Sequence, residues 1–98
     1  MSALFPLGLG QLLATPGALT ALTESGESPG QFVARHAAGD WGEVCAEDAR
    51  LNDEAVKDGS RILSAYRTAK GERIWIITEA ADDSGNRSAT TILLPDEY

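Results

Sequence analysis

The sequence predicts an α+β fold, with N-terminal short helices packed on a C-terminal three- or four-stranded antiparallel β-meander. Three observations carry this. Hydroxyl-proline pairs followed by glycines mark short helices in the first half of the chain. The apolar period changes from about 3.6 to 2 after Gly59. A length of 98 residues holds one domain, residues 1–98, which buries roughly 60–65% of its unfolded surface.

The start, "MSALFPLGLG", is apolar but interrupted by Pro6, Gly8 and Gly10 and has no basic flank. It reads as neither a secretory signal nor a membrane span. One cysteine, Cys45, excludes an internal disulfide and fits a reducing compartment, so a cytoplasmic location is expected. "GQLLAT" (10–15) reads as a possible strand whose place in the sheet stays open.

Thr15-Pro16 predicts a helix start and Gly26 its stop, with Ala18, Leu19, Ala21 and Leu22 on the apolar side. Ser28-Pro29 and Gln31 predict a second start by the capping-box pattern, and Gly39 its end. Phe32, Val33 and His36 share one side of it. His36 is expected near the helix C-terminus, favoured there by the dipole. A third helix is expected from about Val44 to Asp58, closed by Gly59. On a wheel of about 100° per residue, Val44, Leu51 and Ala55 fall together beside Cys45, Ala49 and Val56, which predicts the buried side. Asp48 and Asn52 lie near that arc, as buried polar groups bonded to each other or to strand backbone, or as the lining of a small site.

Three strands follow, at 61–67, 73–79 and 88–94, rich in Ile, Leu, Thr, Tyr and Trp. Lys70-Gly71-Glu72 predicts a tight hairpin, and Asp83 to Asn86 a looser one. In the middle strand Ile74 and Ile76 alternate with Trp75 and Ile77, so it is expected to be central and covered on both faces. Trp75 is assigned to the core.

The charge is uneven. The net charge is −7. Residues 40–58 hold seven carboxylates against Arg50 and Lys57, hence −5 of that total. Eight dispersed bases do not form a phosphate-binding surface, so direct nucleic-acid binding is not expected. An acidic surface can instead occupy a basic protein groove. Glu43, Glu47, Glu54 and Asp58 fall within about 60° of one another on the third helix. The like-charge pairs Glu43–Glu47 and Glu54–Asp58 at i, i+4 work against helix stability. The expected partner-binding set is therefore Asp40, Trp41, Glu43, Glu47, Glu54 and Asp58. Trp41 is either an anchor that holds its loop or an exposed contact. The alternative is a solvated face that only keeps the chain in solution.

Together, "TPGAL", "H-x-x-GDWG", "LNDEA-x-x-DGSRILSAY", "IWIITEA" and "TTILLPDEY" resemble a family of short bacterial plasmid-related proteins, over nearly the whole chain. The family carries no settled activity. The turn "EAADDSGNRS" is longer than the "EADRS" of the family pattern, so it is not expected to be the shared functional element. The resemblance implies a plasmid or phage setting. There, small acidic proteins often inhibit host defence by mimicking DNA or capping a nucleic-acid site.

Other chemistries have little support. "DDSGN" lacks the later ligands of a calcium loop, with Leu93 where a bidentate glutamate would stand. One histidine and one cysteine do not make a zinc site. His36, Asp40 and Glu43 could be read as an acid–base cluster. A small enzyme using His36, Asp40 and Cys45 is a minor alternative, because Cys45 has acidic rather than basic neighbours. The expectation is a non-enzymatic, cofactor-free binding protein of anti-CRISPR or anti-restriction type, monomer or homodimer, with no membrane partner. It would occlude a basic surface of a host nucleic-acid-handling complex. The other alternative is a structural or regulatory adaptor that dimerises through sheet edges.

Overall fold

A computed structural model describes residues 8–98. The interrupted apolar start, including Pro6, lies outside the described residues. In chain order the elements are β1 (Gln11–Ala14), α1 (Pro16–Ser25), α2 (Pro29–Ala37), α3 (Ala46–Asp58), β2 (Ile62–Arg67), β3 (Arg73–Thr78) and β4 (Ala89–Leu93). A 3-10 turn (Pro95–Glu97) follows.

The helix ends follow local chemistry. The Thr15 hydroxyl oxygen accepts from the Ala18 N–H at 3.2 Å. The same hydroxyl donates to Glu97, which also accepts from the Leu94 N–H at 2.8 Å. One carboxylate thus fastens the C-terminal turn to the start of α1, where the helix dipole favours negative charge. The Gln31 side chain accepts from the Ser28 N–H at the start of α2. Gly26 and Gly59 close α1 and α3 in the left-handed region.

The sheet order is β1-β4-β3-β2. The meander β2-β3-β4 is antiparallel as expected. The first strand corrects the rest of the expectation. Residues 11–14 do join the sheet, but parallel to β4, so the sheet is mixed and the helices lie between its first strand and the others. A parallel pair needs a long crossover, and the three helices supply it.

Period-2 alternation sends Ile62, Ser64 and Tyr66, Ile74, Ile76 and Thr78, and Thr90 and Ile92 to the helix-covered face. There Ala18, Leu22, Phe32, Tyr66, Ile74, Ile76 and Ile92 form the main apolar cluster. A second cluster joins Trp41, Ala55 and Ile62, with Val44, Ala49 and Val56 against it. On the opposite face Ile77 and Leu93 are also buried, and Trp75 is half-buried with its ring edge-on to Tyr98 at 5.8 Å. The central β3 is therefore covered on both sides. Among the described residues no helix is long and apolar enough to cross a membrane.

Candidate functional site

The roll of α3 decides what the chain shows to its surroundings. β2 is a sheet edge, and its outward backbone groups need partners. Asn52 supplies two of them. Its amide donates to the Leu63 carbonyl at 2.8 Å, and its oxygen accepts from the Leu63 N–H at 3.4 Å. The segment before α3 supplies two more. The Glu43 N–H donates to the Ala65 carbonyl, and the Ala65 N–H to the Trp41 carbonyl at 3.1 Å. Gly42 sits between them with φ 74°, and a Cβ there would lie 2.0 Å from the Ala65 oxygen. Only glycine fits this approach.

Facing Asn52 toward the sheet turns Leu51 away from it. Leu51 is 48% exposed, which corrects its expected place in the core. It stands in line with Glu47, Glu54 and Asp58, spaced i, i+4, i+7 and i+11 along one stripe. A shallow cavity of about 250 Å³ beside it is lined by Asp48, Leu51, Asn52, Arg61 and Leu63. Leu51 is the candidate contact residue that the wheel reading missed. The available signal was Asn52, an amide at the centre of the buried arc and therefore committed to a strand edge.

The six expected partner-binding residues divide. Glu47, Glu54 and Asp58 lie on the exposed stripe. Arg50 pairs with Glu54 at 2.8 Å and reaches Glu47 at 3.8 Å. Asp58 accepts from the Ser60 N–H at 2.9 Å, and Ser60's hydroxyl and N–H hold its carboxyl below the usual range. Glu43 is not on the helix, because α3 begins at Ala46. Its carboxylate pairs instead with Arg67 at 3.2 Å. Asp40 is paired with Arg35 at 2.7 Å, and that bond holds its carboxyl below the usual range while raising Arg35.

Trp41 is 5% exposed and offers no external contact area, so its reading as an exposed contact is corrected in favour of the anchor. Its ring joins the second cluster, and its Nε1–H donates to Asp53 at 2.9 Å. Trp41→Phe keeps an aromatic ring but loses this bond and leaves the space of the indole's five-membered ring unfilled. Urea unfolding of that variant is expected to show a loss of about 2 kcal/mol.

The residues of the enzymatic alternative are each otherwise engaged. His36 is fully buried, Asp40 holds Arg35, and the Cys45 sulfur accepts from the Asp48 N–H at 3.4 Å as the cap of α3. Among the described residues no group of three His, Cys, Asp or Glu side chains is gathered for a metal.

His36 instead belongs to a buried polar chain. Its Nδ1 lies 2.5 Å from Ser64 Oγ and its Nε2 2.8 Å from Thr78 Oγ1. Thr78 Oγ1 lies 2.8 Å from Thr90 Oγ1, and Thr90 donates to the Leu9 carbonyl at 2.7 Å. The end of the chain fixes its direction. A carbonyl only accepts, so Thr90 spends its proton on Leu9 and accepts from Thr78. Thr78 therefore accepts from Nε2–H, and Ser64 donates to Nδ1. The imidazole is neutral. Burial, with the nearby Arg87 charge, pushes its pKa down to about 4. His36 does stand in the last turn of α2, as expected, but as a buried neutral group, so the dipole is not what holds it there. Burial costs an ion more than an exposed helix end returns.

Arg87 closes the other end of α3. Its guanidinium donates to the carbonyls of Ala55, Ser60 and Glu79 at 2.9, 2.8 and 3.0 Å.

Family models, curated proteins and solved structures give no match to this chain.

Proposed function

We propose that the chain is a non-enzymatic binding module whose α3 presents Glu47, Leu51, Glu54 and Asp58 to a basic protein surface. The observation that carries this reading is an exposed leucine held within a carboxylate stripe by a helix whose other side is fastened to a strand edge. Carboxylates alone suit solvation. A leucine among them adds apolar area that only a partner can cover, and α3 is already ordered by Asn52 and Arg87, so docking costs little further entropy. Arg50 restrains Glu47 and Glu54 but leaves both largely exposed.

The partner this surface fits has Lys and Arg around a small apolar seat. Its finer identity is a nucleic-acid-handling host defence complex, of CRISPR or restriction type, with phosphate-binding groups occluded by the carboxylates. That step rests on the mobile-element setting that the resemblance implies.

The test is capture from host lysate on the immobilised full chain. Glu47→Lys with Glu54→Lys is expected to weaken capture on the order of ten-fold or more with the melting curve unchanged. Leu51→Ala is expected to weaken it to a smaller degree. Arg50→Ala frees two carboxylates and is expected to strengthen it. Capture of the wild-type partner should fall steeply as salt rises past about 0.15 M, where charges are screened within about 8 Å. Equal capture of one partner by wild type and the double variant would falsify the proposal.

A further inference from the structure

We infer that the open edge of β1 pairs with the β1 of a second copy of this chain, extending the sheet across a two-fold axis. The two sheet edges are finished differently. The outer edge of β2 is occupied by Asn52 and the 41–43 segment. The edge at β1 has no such cover among the described residues. The Gln11 N–H donates to the Ser88 carbonyl and the Thr15 N–H to the Ile92 carbonyl, both inward to the β4 side. Backbone alternation then directs the N–H and C=O of Leu12 and Ala14 outward. No proline, charged side chain or bulge blunts the strand, which are the usual protections of a free edge.

Beside that edge is an apolar groove of about 230 Å³, lined by residues that include Leu12, Leu13, Ala14, Pro29, Val33 and Ile92. Leu12 is 56% exposed and Leu13 is exposed too.

Charge selects the occupant. Among the described residues none that lines the groove is charged, so neither a basic nor an acidic segment finds a counter-ion among them. A neutral, extended, leucine-bearing strand fits, and Gln11-Leu12-Leu13-Ala14 is itself such a strand. A surface that carries both the groove and the segment suited to it is self-complementary, as a two-fold interface requires. The net charge of −7 opposes association of two copies over most of the surface. Repulsion is weaker at β1, because the strand itself is uncharged, Glu97 beyond its end is engaged by the Thr15 hydroxyl and the Leu94 N–H, and α3 with its carboxylates packs on β2, at the far side of the sheet order. Pairing through β1 sets the two acidic helices at opposite ends of an eight-stranded sheet and leaves both free for the partner proposed above.

The experiment is sedimentation equilibrium of the full chain over a concentration series at low and high salt. Amide exchange is measured on the same samples. The mass is expected to rise from one chain to two, with equal or tighter association at high salt, opposite to the response of the acidic face. Protection of the Leu12 and Ala14 amides should rise with concentration. Leu12→Glu places two carboxylates across the axis and is expected to weaken the dimer on the order of ten-fold or more. Its circular dichroism should be unchanged, because the side chain is largely exposed. Leu12→Pro removes one outward donor and keeps the inward ladder, and should weaken the dimer as well. A mass of one chain throughout overturns the inference, and so does a dimer indifferent to Leu12→Glu. Protected Leu12 and Ala14 amides in a chain that stays monomeric would assign the edge to a segment of the same molecule, and also overturn it.

Discussion

Lowering the pH from 7 to 5 is expected to cost the folded chain about 2 kcal/mol, read from urea unfolding at the two values. The group responsible is His36. In the native chain it is neutral, accepting from Ser64 and donating to Thr78, with its pKa at about 4. Unfolded, it titrates near about 6.5. Above that pH both states are neutral and the histidine adds nothing to the pH dependence of stability. Below it the unfolded chain takes up a proton that the native chain does not. Stability then falls until the native group also titrates, near 4, for a total of about 3 kcal/mol. Against a typical 5–15 kcal/mol for a whole domain, that is a large share.

The carboxylates do not obscure this window. Glu27, Asp40, Asp58 and Glu97 are each held below their ordinary values, by the Ala69 N–H, Arg35, Ser60 and the Thr15 hydroxyl respectively. Their contribution is present above about 4.5 and lost below it. A slope between pH 6.5 and 5 therefore reports the histidine. The same slope in His36→Gln, or an imidazole that titrates near 6.5 by NMR in the folded chain, would refute the assignment.

The features that the sequence made legible are those set within a few residues. Thr15-Pro16, Ser28-Pro29, Gly26 and Gly59 mark helix ends because each cap acts on its own turn. The shift to period 2 after Gly59 marks three strands, and Lys70-Gly71 joins two of them closely enough to set an antiparallel pair. β1 resisted reading because Gln11 pairs with Ala89, across most of the chain, and four residues do not show whether their neighbour runs parallel.

The site was legible in part for the same reason. Glu47, Glu54 and Asp58 share a stripe whatever the roll of α3. Leu51 and Asn52 exchange places with that roll, and the roll answers to Leu63 on another element. Hydropathy favoured burying the leucine. An unpaired strand edge outweighs it, since leaving a buried donor and acceptor without partners costs more than exposing half a leucine. Ser64, Thr78 and Thr90 passed as ordinary strand formers, and only the arrival of His36 on their face turns them into one polar chain. Glu43 counted as free charge because Arg67 approaches through the fold, whereas the pairing of Asp40 with Arg35, five residues away across the end of α2, was within reach of the sequence and was missed.

Replacing Asn52 with leucine would improve the apolar pattern of α3, yet it is expected to destabilise the chain by about 2–3 kcal/mol. The leucine adds buried hydrocarbon. It also leaves the Leu63 N–H and C=O without the amide that meets both. Two unmet backbone groups on a partly covered edge outweigh one better-packed side chain. Asn52→Asp separates the two halves of the cap. It keeps an acceptor for the Leu63 N–H but sets a carboxylate oxygen against the Leu63 carbonyl. Its loss should therefore be larger at pH 7 than near pH 4, where a protonated carboxyl can donate to that carbonyl, once the His36 contribution is subtracted. The local reading is amide exchange at Leu63, which should accelerate in both variants while the amides of β3 remain protected under native conditions. Both variants also uncover β2, so a second route to strand pairing opens at the edge that the native chain keeps closed. Self-association that no longer responds to Leu12→Glu is the expected consequence. An Asn52→Leu chain as stable as the wild type, with Leu63 still slow to exchange, would show that the edge is satisfied by other means and that Leu51 owes its exposure to something other than this bond.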